Sequence, residues 1–180
     1  MHRTHIDGVS IVESTVHRDN RGSFTEVHHE AKFAALGLDV RFAQDNHSHS
    51  GKHVLRGLHF QRTQPQGKLI RAVTGSIFDV AVDLRHSSNT FGQWFGTILE
   101  SGDGKQLWIA PGLAHGFFVL SDSADVSYKC TTVYDLASDS VIAWNDPSIG
   151  IDWPIPAGVI PMLSGKDANA PRLASIEPFA

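Results

Sequence analysis

One short stretch of the sequence, residues 56–61, combines a cation, an imidazole and an amide within six positions. If the stretch is a β-strand, its side chains alternate between two faces of the sheet. The predicted face that carries the titratable group consists of Gly57, His59 and Gln61. The opposite face consists of Arg56, Leu58 and Phe60. A single histidine in such a strand more often has a structural role, so other residues must support any chemistry.

Three later stretches each place an acid–base or cationic group beside an apolar strand, and they contribute Lys68, His115 and Tyr128. A histidine can act as a general base near neutral pH, and a tyrosine can return a proton. A fixed lysine cation can stabilise an enolate oxygen. Taken singly, Lys68 is more simply a surface charge and Tyr128 an aromatic residue at the edge of the core. Together with His59, they favour proton abstraction next to a carbonyl group.

A metal site is the main alternative, because the sequence contains 11 histidines. The stretch 111–115 (Pro-Gly-Leu-Ala-His) is similar to the second motif of cupins, which are small jelly-roll barrels. The first cupin motif would supply His-X-His and a later Glu as metal ligands, but here His59 is followed by Gln61. His47 and His49 alternate in sequence without an evident third ligand. We therefore expect no metal, and no Gly-X-Gly-X-X-Gly motif predicts a dinucleotide cofactor.

The length and composition exclude several classes of protein. A chain of 180 residues is most simply one domain with a sizeable core. The net charge of −4 and the absence of a dominant basic patch disfavour a nucleic-acid partner. The single cysteine, Cys130, leaves no internal disulfide and favours a reducing, cytoplasmic compartment. Residues 1–10 lack the apolar core of a signal peptide, and no apolar run is long enough to cross a bilayer.

The pattern along the chain is that of short β-strands separated by polar turns. We expect strands at 9–16 and 24–27, a short helix at 30–37 closed by Gly37, and a polar loop at 46–51. Turns rich in Gly, Ser or Asp also predict three β-hairpins. These hairpins pair 68–73 with 77–84, 94–100 with 105–110, and 116–120 with 125–134.

Many short strands with regularly spaced turns predict a mainly β, antiparallel sandwich or barrel. Residues 135–180 are rich in proline and predict an irregular tail wrapped on the barrel. We expect a single domain, 1–180, with N-terminal strands and a loop at 1–50, a core at about 51–135 and a tail at 136–180.

A series of ordered motifs resembles the dTDP-4-dehydrorhamnose 3,5-epimerase family, and it covers the chain from Arg21 to about Pro171. The motifs are 21–26, 44–48, 54–60, 66–69, 78–83, 114–117, 128–130, 144–147, 151–154 and 163–167. The resemblance implies a cupin-like jelly-roll barrel with short helices, working as a homodimer. It also implies an isomerase that needs no cofactor and no metal.

The resemblance assigns roles to matching positions. It implies that His59 is the base, that Asp167 orients it, that Tyr128 donates a proton and that Lys68 lies near the C4 oxygen of the sugar. The substrate-binding residues that it implies are Arg21, Glu26, Gln44, Asn46, Arg56, His115, Tyr134, Asp139 and Lys166. Within that set, the two arginines match residues that hold the diphosphate, and the tyrosine matches the aromatic residue that stacks on thymine. Arg21 and Glu26 are implied to reach across the dimer.

The implied reaction converts dTDP-4-dehydro-6-deoxy-D-glucose into dTDP-4-dehydro-L-rhamnose by inversion at C3 and C5. The chain departs from the family pattern in several places: Ser23 replaces a bulky apolar residue, Asp139 stands near a common Glu, the pair at 28–29 has no counterpart, and the loop at 62–66 is compact. Three alternatives stay open: an epimerase of C3 alone or of another nucleotide sugar, a non-catalytic sugar-binding cupin, and a metal-dependent cupin enzyme. The pattern assigns no role to His28, His29, His47 and His49.

Overall fold

The computed structural model describes residues 1–177 and 179, which form a mainly β fold. The strands are β1 His2–Arg3, β2 Val9–Glu13, β3 Val16–Asp19, β4 Gly22–Thr25, β5 Gln44–Gly51, β6 Leu55–Gln61, β7 Lys68–Thr74, β8 Ser76–Asp83, β9 Trp94–Glu100, β10 Lys105–Ile109, β11 Leu113–Val119, β12 Ser123–Cys130 and β13 Asp139–Val141. The helices are α1 Glu30–Ala35, α2 Gly165–Ala168 and a 3-10 turn at Leu173–Ser175. Within the described ranges, no helix is long and apolar enough to span a membrane.

Two antiparallel sheets pack face to face and form the barrel. The larger sheet has the order β1-β2-β10-β7-β12-β5, and the smaller has the order β13-β6-β11-β8-β9. Apolar side chains of both sheets meet in one core cluster, which includes Ile70, Leu107 and Val126 from the larger sheet and Ile77, Leu99 and Phe117 from the smaller. Burial of these side chains supplies the main driving force for the fold. The predicted jelly roll is confirmed.

The three predicted hairpins are wrong, although the predicted strands are close to the observed ones. In each case the two strands lie in opposite sheets: β7 and β8, β9 and β10, and β11 and β12. The turn between them carries the chain across the barrel instead of back along the same sheet. Partners are distant in sequence, since β7 pairs with β10 and β12 while β8 pairs with β11 and β9.

The predicted polar loop at 46–51 is also wrong, because these residues belong to β5. Their backbone pairs with β12 along the whole strand, from Gln44 opposite Cys130 to Gly51 opposite Ser123. The strand lies at the edge of the larger sheet, where polar side chains can face solvent. The predicted helix is confirmed as α1, and Gly37 follows it with a φ of 89°.

The C-terminal tail is mostly irregular, as expected, and it covers the outer face of the smaller sheet. Ile149, Ile151 and Trp153 of the tail pack against Leu58 and other apolar residues of that face. The tail also adds β13 beside β6 and brings α2 next to β6. Residues distant in sequence therefore reach the strand that carries His59.

The predicted alternation of Arg56 and His59 on opposite faces of β6 is wrong, because β6 contains a bulge. His59 lies opposite His115 and Arg56 lies opposite Phe117, so β6 has one residue more than β11 between these pairs. Gly57 occupies the bulge with a φ of 125°. The extra residue reverses the alternation, and both side chains reach the same cavity.

We expect Gly57→Ala to lower the free energy of unfolding by about 3 kcal/mol or more. A Cβ atom at this position would lie 2.5 Å from Cα of Gly116, and the positive φ disfavours any L side chain. The matched control is Gly158→Ala, which has a φ of 80° and open space around the new methyl group. Chemical denaturation of both variants measures the difference, and equal losses would contradict the clash.

Candidate active site

A cavity of about 400 Å³ is lined by residues of both sheets. The smaller sheet contributes His59 and His115, which are cross-strand neighbours on β6 and β11. The larger sheet contributes Lys68 from β7 and Tyr128 from β12. The structure thus brings together the four side chains on which the sequence argument depends, and their chemical roles stay predictions. Further members of the predicted set also line the cavity, namely Gln44, Asn46, Arg56, Tyr134 and Asp139.

A buried carboxylate from the tail contacts His59. The hydroxyl of Ser164 caps α2 by accepting from the backbone N–H of Asp167, which fixes the acid at the start of the helix. Oδ1 of Asp167 lies 2.9 Å from Nε2 of His59, which is close enough for an ion pair. The direction of the ring N–H does not meet the geometry of a hydrogen bond to this oxygen. Burial acts to raise the pKa of Asp167, but the contacts with His59 and Ser164 outweigh it and lower that pKa. The other ring nitrogen, Nδ1, has no hydrogen bond within the described residues, and Oδ1 of Asp139 lies 4.0 Å from it.

Lys68 is a buried cation without a carboxylate partner among the described residues. Its nearest hydrogen-bonding group is the carbonyl oxygen of His59, which lies 3.4 Å from Nζ. Burial lowers the pKa of Lys68, while the nearby Cys130, Asp139 and Asp79 act in the opposite direction. The ammonium group is therefore available to an oxygen that develops negative charge in the cavity.

Tyr128 faces the histidines from the other sheet. Its ring centroid lies 6.4 Å from that of His115. Burial raises the pKa of Tyr128, and the charges of Cys130 and Asp139 act in the same direction against Arg56. The phenol therefore keeps its proton at neutral pH, which suits a proton donor.

Arg56 supplies a second cation that no carboxylate of the described chain neutralises. Its Nε donates to Oγ of Ser50 at 2.9 Å, and its Nη2 donates to the carbonyl of His49 at 3.2 Å. These contacts with β5 hold the guanidinium group at the exposed side of the cavity. A planar, permanently charged fork in this position suits a phosphate or diphosphate.

A polar network lies at the mouth of the cavity around Asp139. Its Oδ2 accepts from the hydroxyl of Tyr134 at 2.9 Å and from Nζ of Lys166 at 2.6 Å. Gln44 accepts from the backbone N–H of Tyr134 at 2.7 Å and so positions that exposed ring. Lys166 does not line the cavity itself but is tied to it through Asp139.

Two predicted site residues lie away from the cavity of their own chain. Arg21 is on the exposed hairpin of β3 and β4, where it pairs with Asp19 at 2.6 Å. Glu26 follows that hairpin and pairs with Lys32 at 2.8 Å. Neither residue lines the cavity.

The four histidines without an assigned role lie outside the cavity. His28 packs against Phe33 and Phe42 near α1. His47 and His49 both contact Oδ1 of Asp125 on the exposed surface, at 2.9 and 3.0 Å. Within residues 1–177 and 179, no group of three or more His, Cys, Asp or Glu side chains is arranged to hold a metal ion.

Sequence reasoning missed Asp79 as a member of the site. Its carboxylate is fully buried on β8, and Oδ1 lies 2.7 Å from Nε2 of His115. The available signal was an acid within an apolar strand, because a buried carboxylate needs a polar partner. The sequence does not identify that partner, since β8 and β11 are separated by two further strands.

Comparison with known proteins places the chain among sugar-nucleotide epimerases. The family model described as dTDP-4-dehydrorhamnose 3,5-epimerase matches residues 3–175. The dTDP-4-dehydrorhamnose 3,5-epimerase of Methanothermobacter thermautotrophicus is 52% identical over 167 residues, which cover 93% of this chain and 90% of that protein.

Two solved structures share the fold. The dTDP-6-deoxy-D-glucose-3,5-epimerase of Legionella pneumophila, in complex with dTDP-4-keto-L-rhamnose, is 46% identical with a TM-score of 0.94, covering 99% of this chain and 97% of that one. A 3′-monoepimerase of Streptomyces bikiniensis, in complex with dTDP-quinovose, is 34% identical with a TM-score of 0.90, covering 97% and 88%.

The unpaired, buried charge of Lys68 predicts a cost in stability. We expect Lys68→Met to raise the free energy of unfolding at pH 7 by about 1–4 kcal/mol, since an apolar side chain avoids the desolvation of the ammonium group. The folded pKa lies below that of the unfolded chain, so the cost is complete below the folded pKa. The stability advantage of Lys68→Met should therefore shrink as the pH rises towards the pKa of lysine in the unfolded chain.

Denaturant titrations across this pH range measure the effect. The control is Lys105→Met at the start of β10, where the side chain is partly exposed; this variant should change stability by no more than about 0.5 kcal/mol. A destabilised Lys68→Met protein would show that the ammonium group is stabilised by its surroundings.

Proposed function

The chain belongs to the dTDP-4-dehydrorhamnose 3,5-epimerase family, and from this premise we propose how its cavity carries out the reaction. It is an isomerase that performs the 3,5-epimerisation of that family. The observation that carries the mechanism is that His59, backed by Asp167, and Tyr128 approach the cavity from opposite sheets. Inversion at carbon needs a proton removed from one face and another delivered to the other face.

The proposed substrate is dTDP-4-dehydro-6-deoxy-D-glucose, and the product is dTDP-4-dehydro-L-rhamnose. The structure of the Legionella relative, which is 46% identical in sequence, contains bound dTDP-4-keto-L-rhamnose. The guanidinium group of Arg56, which no carboxylate of the described chain neutralises, suits the diphosphate. The exposed ring of Tyr134 offers a surface on which thymine can stack. Gln44 accepts from the backbone N–H of Tyr134 and donates to Asn46, and both side chains line the cavity, where they can contact the nucleoside.

Proton removal is assigned to His59. The C4 ketone acidifies the protons on C3 and C5, and Nδ1 of His59 takes one of them. Asp167 at Nε2 stabilises the imidazolium ion that forms. The electron pair of the broken C–H bond moves to the C4 oxygen, where the ammonium group of Lys68 stabilises the enolate.

Tyr128 completes the inversion by giving its phenolic proton to the opposite face of the same carbon. Its raised pKa keeps the proton in place until the enolate is formed. The tyrosinate then recovers a proton from water, and the imidazolium ion loses one to water, so the enzyme returns to its starting state. The same cycle serves C3 and C5 in turn.

The proposed cycle needs no metal and no redox cofactor. Each step is a proton transfer for which this chain supplies the donor or acceptor. Gln61, which replaces the second metal-binding histidine of cupins, has a structural role instead. Its amide donates to the carbonyls of Gln64 and Val133 and accepts from the backbone N–H of Asp135.

The working unit that we propose is a homodimer in the cytoplasm. Arg21 and Glu26 match substrate-binding positions but lie outside the cavity of their own chain. Exchange of the exposed hairpin β3–β4 between two copies would bring both to the partner's cavity. The single, buried cysteine is consistent with a reducing compartment.

Inversion of C3 alone is the second candidate, because the monoepimerase of Streptomyces bikiniensis shares the fold. The fold therefore does not separate the two reactions. The higher identity to 3,5-epimerases, 46% and 52% against 34%, favours inversion at both carbons.

Deuterium exchange tests the roles of the base and the donor. In heavy water, His59→Ala should lose exchange at C3 and C5 by about a hundred- to ten-thousand-fold. Tyr128→Phe should impair inversion more than exchange, because His59 can still remove a proton and return deuterium to the same face. NMR of the substrate and the product records both results and counts the inverted carbons.

The surface variant His47→Ala is the control and should exchange as the wild type does. Near-native exchange by His59→Ala would show that another group is the base. Exchange at C3 alone by the wild-type protein would establish the monoepimerase.

Subunit complementation tests the cross-subunit site. Arg21→Ala and His59→Ala should each be inactive alone, but random mixing after mild denaturation should restore about a quarter of the wild-type activity. Half of the dimers are then mixed, and one of the two sites in each has both residues intact. In a control mixture of His59→Ala with Lys68→Ala, both changes affect residues of the same cavity, so no recovery is expected. Failure of the first mixture to recover would place Arg21 in the site of its own chain.

A further inference from the structure

We propose that Asp79 is a positioning residue that holds the imidazole of His115 doubly protonated, so that Nδ1–H donates a hydrogen bond to the substrate oxygen that also contacts Lys68. The inference rests on the proposed function and adds a residue to it. In this proposal the substrate oxygen is bound by two donors, His115 from the smaller sheet and Lys68 from the larger. The carboxylate of Asp79 acts on both donors.

The contact between Asp79 and His115 is the most deeply buried ion pair of the described chain that involves a histidine. The Asp79 side chain is fully buried and that of His115 is 8% exposed, and Oδ1 lies 2.7 Å from Nε2. That distance is typical of a charge-assisted hydrogen bond. Nε2 is therefore committed to the carboxylate and is unavailable to a ligand.

The other nitrogen of His115 is free to reach a ligand. Nδ1 has no hydrogen-bond partner in residues 1–177 and 179, and it is not among the polar atoms sealed away from solvent. His115 lines the cavity beside Lys68 and Tyr128. A ligand in the cavity can therefore contact Nδ1 directly.

The surroundings of Asp79 argue for a charged partner. Its Oδ2 is buried without any hydrogen bond, so Oδ1 and His115 provide its only polar contact in the described ranges. A buried carboxylate with a neutral partner leaves an uncompensated charge, which costs several kcal/mol. An imidazolium partner compensates that charge, and it carries a proton on Nδ1 as well as on Nε2.

Asp79 also acts on Lys68 through space. Its charge opposes the effect of burial on that lysine, as do Cys130 and Asp139. One buried carboxylate thus favours the protonated form of two neighbouring donors. The ionisable groups that surround these donors are Arg56, His59, Tyr128, Cys130 and Asp139.

The proposed arrangement balances the charges in the cavity before and after proton removal. Before proton removal, the cavity holds a neutral ketone, and the negative charge of Asp79 partly offsets the two donors. After proton removal, the enolate oxygen carries the new charge and both donors contact it. A preorganised pair of this kind acts mainly on the transition state and hence on kcat.

Asp79→Asn keeps the shape of the side chain and removes the charge. We expect kcat to fall about ten- to a hundred-fold with little change in KM, because such orienting partners typically contribute this much. We also expect the alkaline limb of the kcat profile to move to lower pH, because the remaining donors lose their protons more readily. A residue that only supports the fold would leave the limb in place.

Asp83→Asn is the matched control. Asp83 is equally buried on the same face of β8, but it pairs with Arg85 away from the cavity. Its variant should lose stability without a shift of the alkaline limb. In a His115→Gln background, Asp79→Asn should cost less than about two-fold, since its effect passes through the imidazole.

Nitrogen NMR of His115 in the wild-type protein supplies a test that needs neither activity nor a folded variant. At pH 7 both ring nitrogens should show protonated shifts, and an unprotonated Nδ1 would overturn the proposal. The proposal would also be overturned if Asp79→Asn left the alkaline limb of the kcat profile unchanged. The same holds if the effects of Asp79→Asn and His115→Gln on kcat were fully additive. A wild-type protein that does not turn over dTDP-4-dehydro-6-deoxy-D-glucose would contradict the proposed function instead, and the NMR result would still decide the state of His115.

Discussion

The close approach of two backbones at Gly57 and Gly116 is the constraint on which the cavity depends. A Cβ atom at Gly116 would lie 2.7 Å from the carbonyl oxygen of Arg56, and one at Gly57 would lie 2.5 Å from Cα of Gly116. Only glycine fits at both positions, and the contact holds the bulge of β6 in place. The bulge turns Arg56 and His59 to the same side, so one backbone contact places the proposed base and the proposed anion-binding cation in the same cavity.

The distribution of charge follows a consistent pattern. The buried carboxylates of the site contact histidines, Asp167 at His59 and Asp79 at His115, while the described chain gives Lys68 and Arg56 no carboxylate partner. A carboxylate on one nitrogen of a histidine fixes where its proton lies. Lys68 is costly to bury without a protein counter-charge, whereas Arg56 is exposed. In the proposed reaction an enolate oxygen supplies the charge for Lys68, and a diphosphate supplies it for Arg56. The site therefore spends stability to favour an anionic ligand.

The sequence predicted most of the strands and most of the residues that line the cavity, because both depend on local pattern and on ordered motifs. It did not predict which strands pair, since the turn after β7 has the composition of a hairpin turn whether the chain returns or crosses. It placed 46–51 in a loop because polar side chains on an edge strand resemble a loop. It also placed Arg56 opposite His59, because alternation assumes a regular strand and a single glycine does not reveal a bulge. The partner of Asp79 depends on sheet pairing, which is decided by tertiary contacts.

In the proposed mechanism, inversion depends on the same crossing of consecutive strands that makes the hairpin prediction wrong. β11 carries His115 next to His59 on one wall, and the following turn takes β12, with Tyr128, to the other wall. Packed sheets lie about 10 Å apart, which leaves room for one sugar ring between side chains from both walls. A hairpin would have put β11 and β12 in the same sheet, with acid and base on the same face of the ring. Proton removal and return would then restore the original configuration, so in the proposed mechanism the topology of the jelly roll determines the stereochemical outcome.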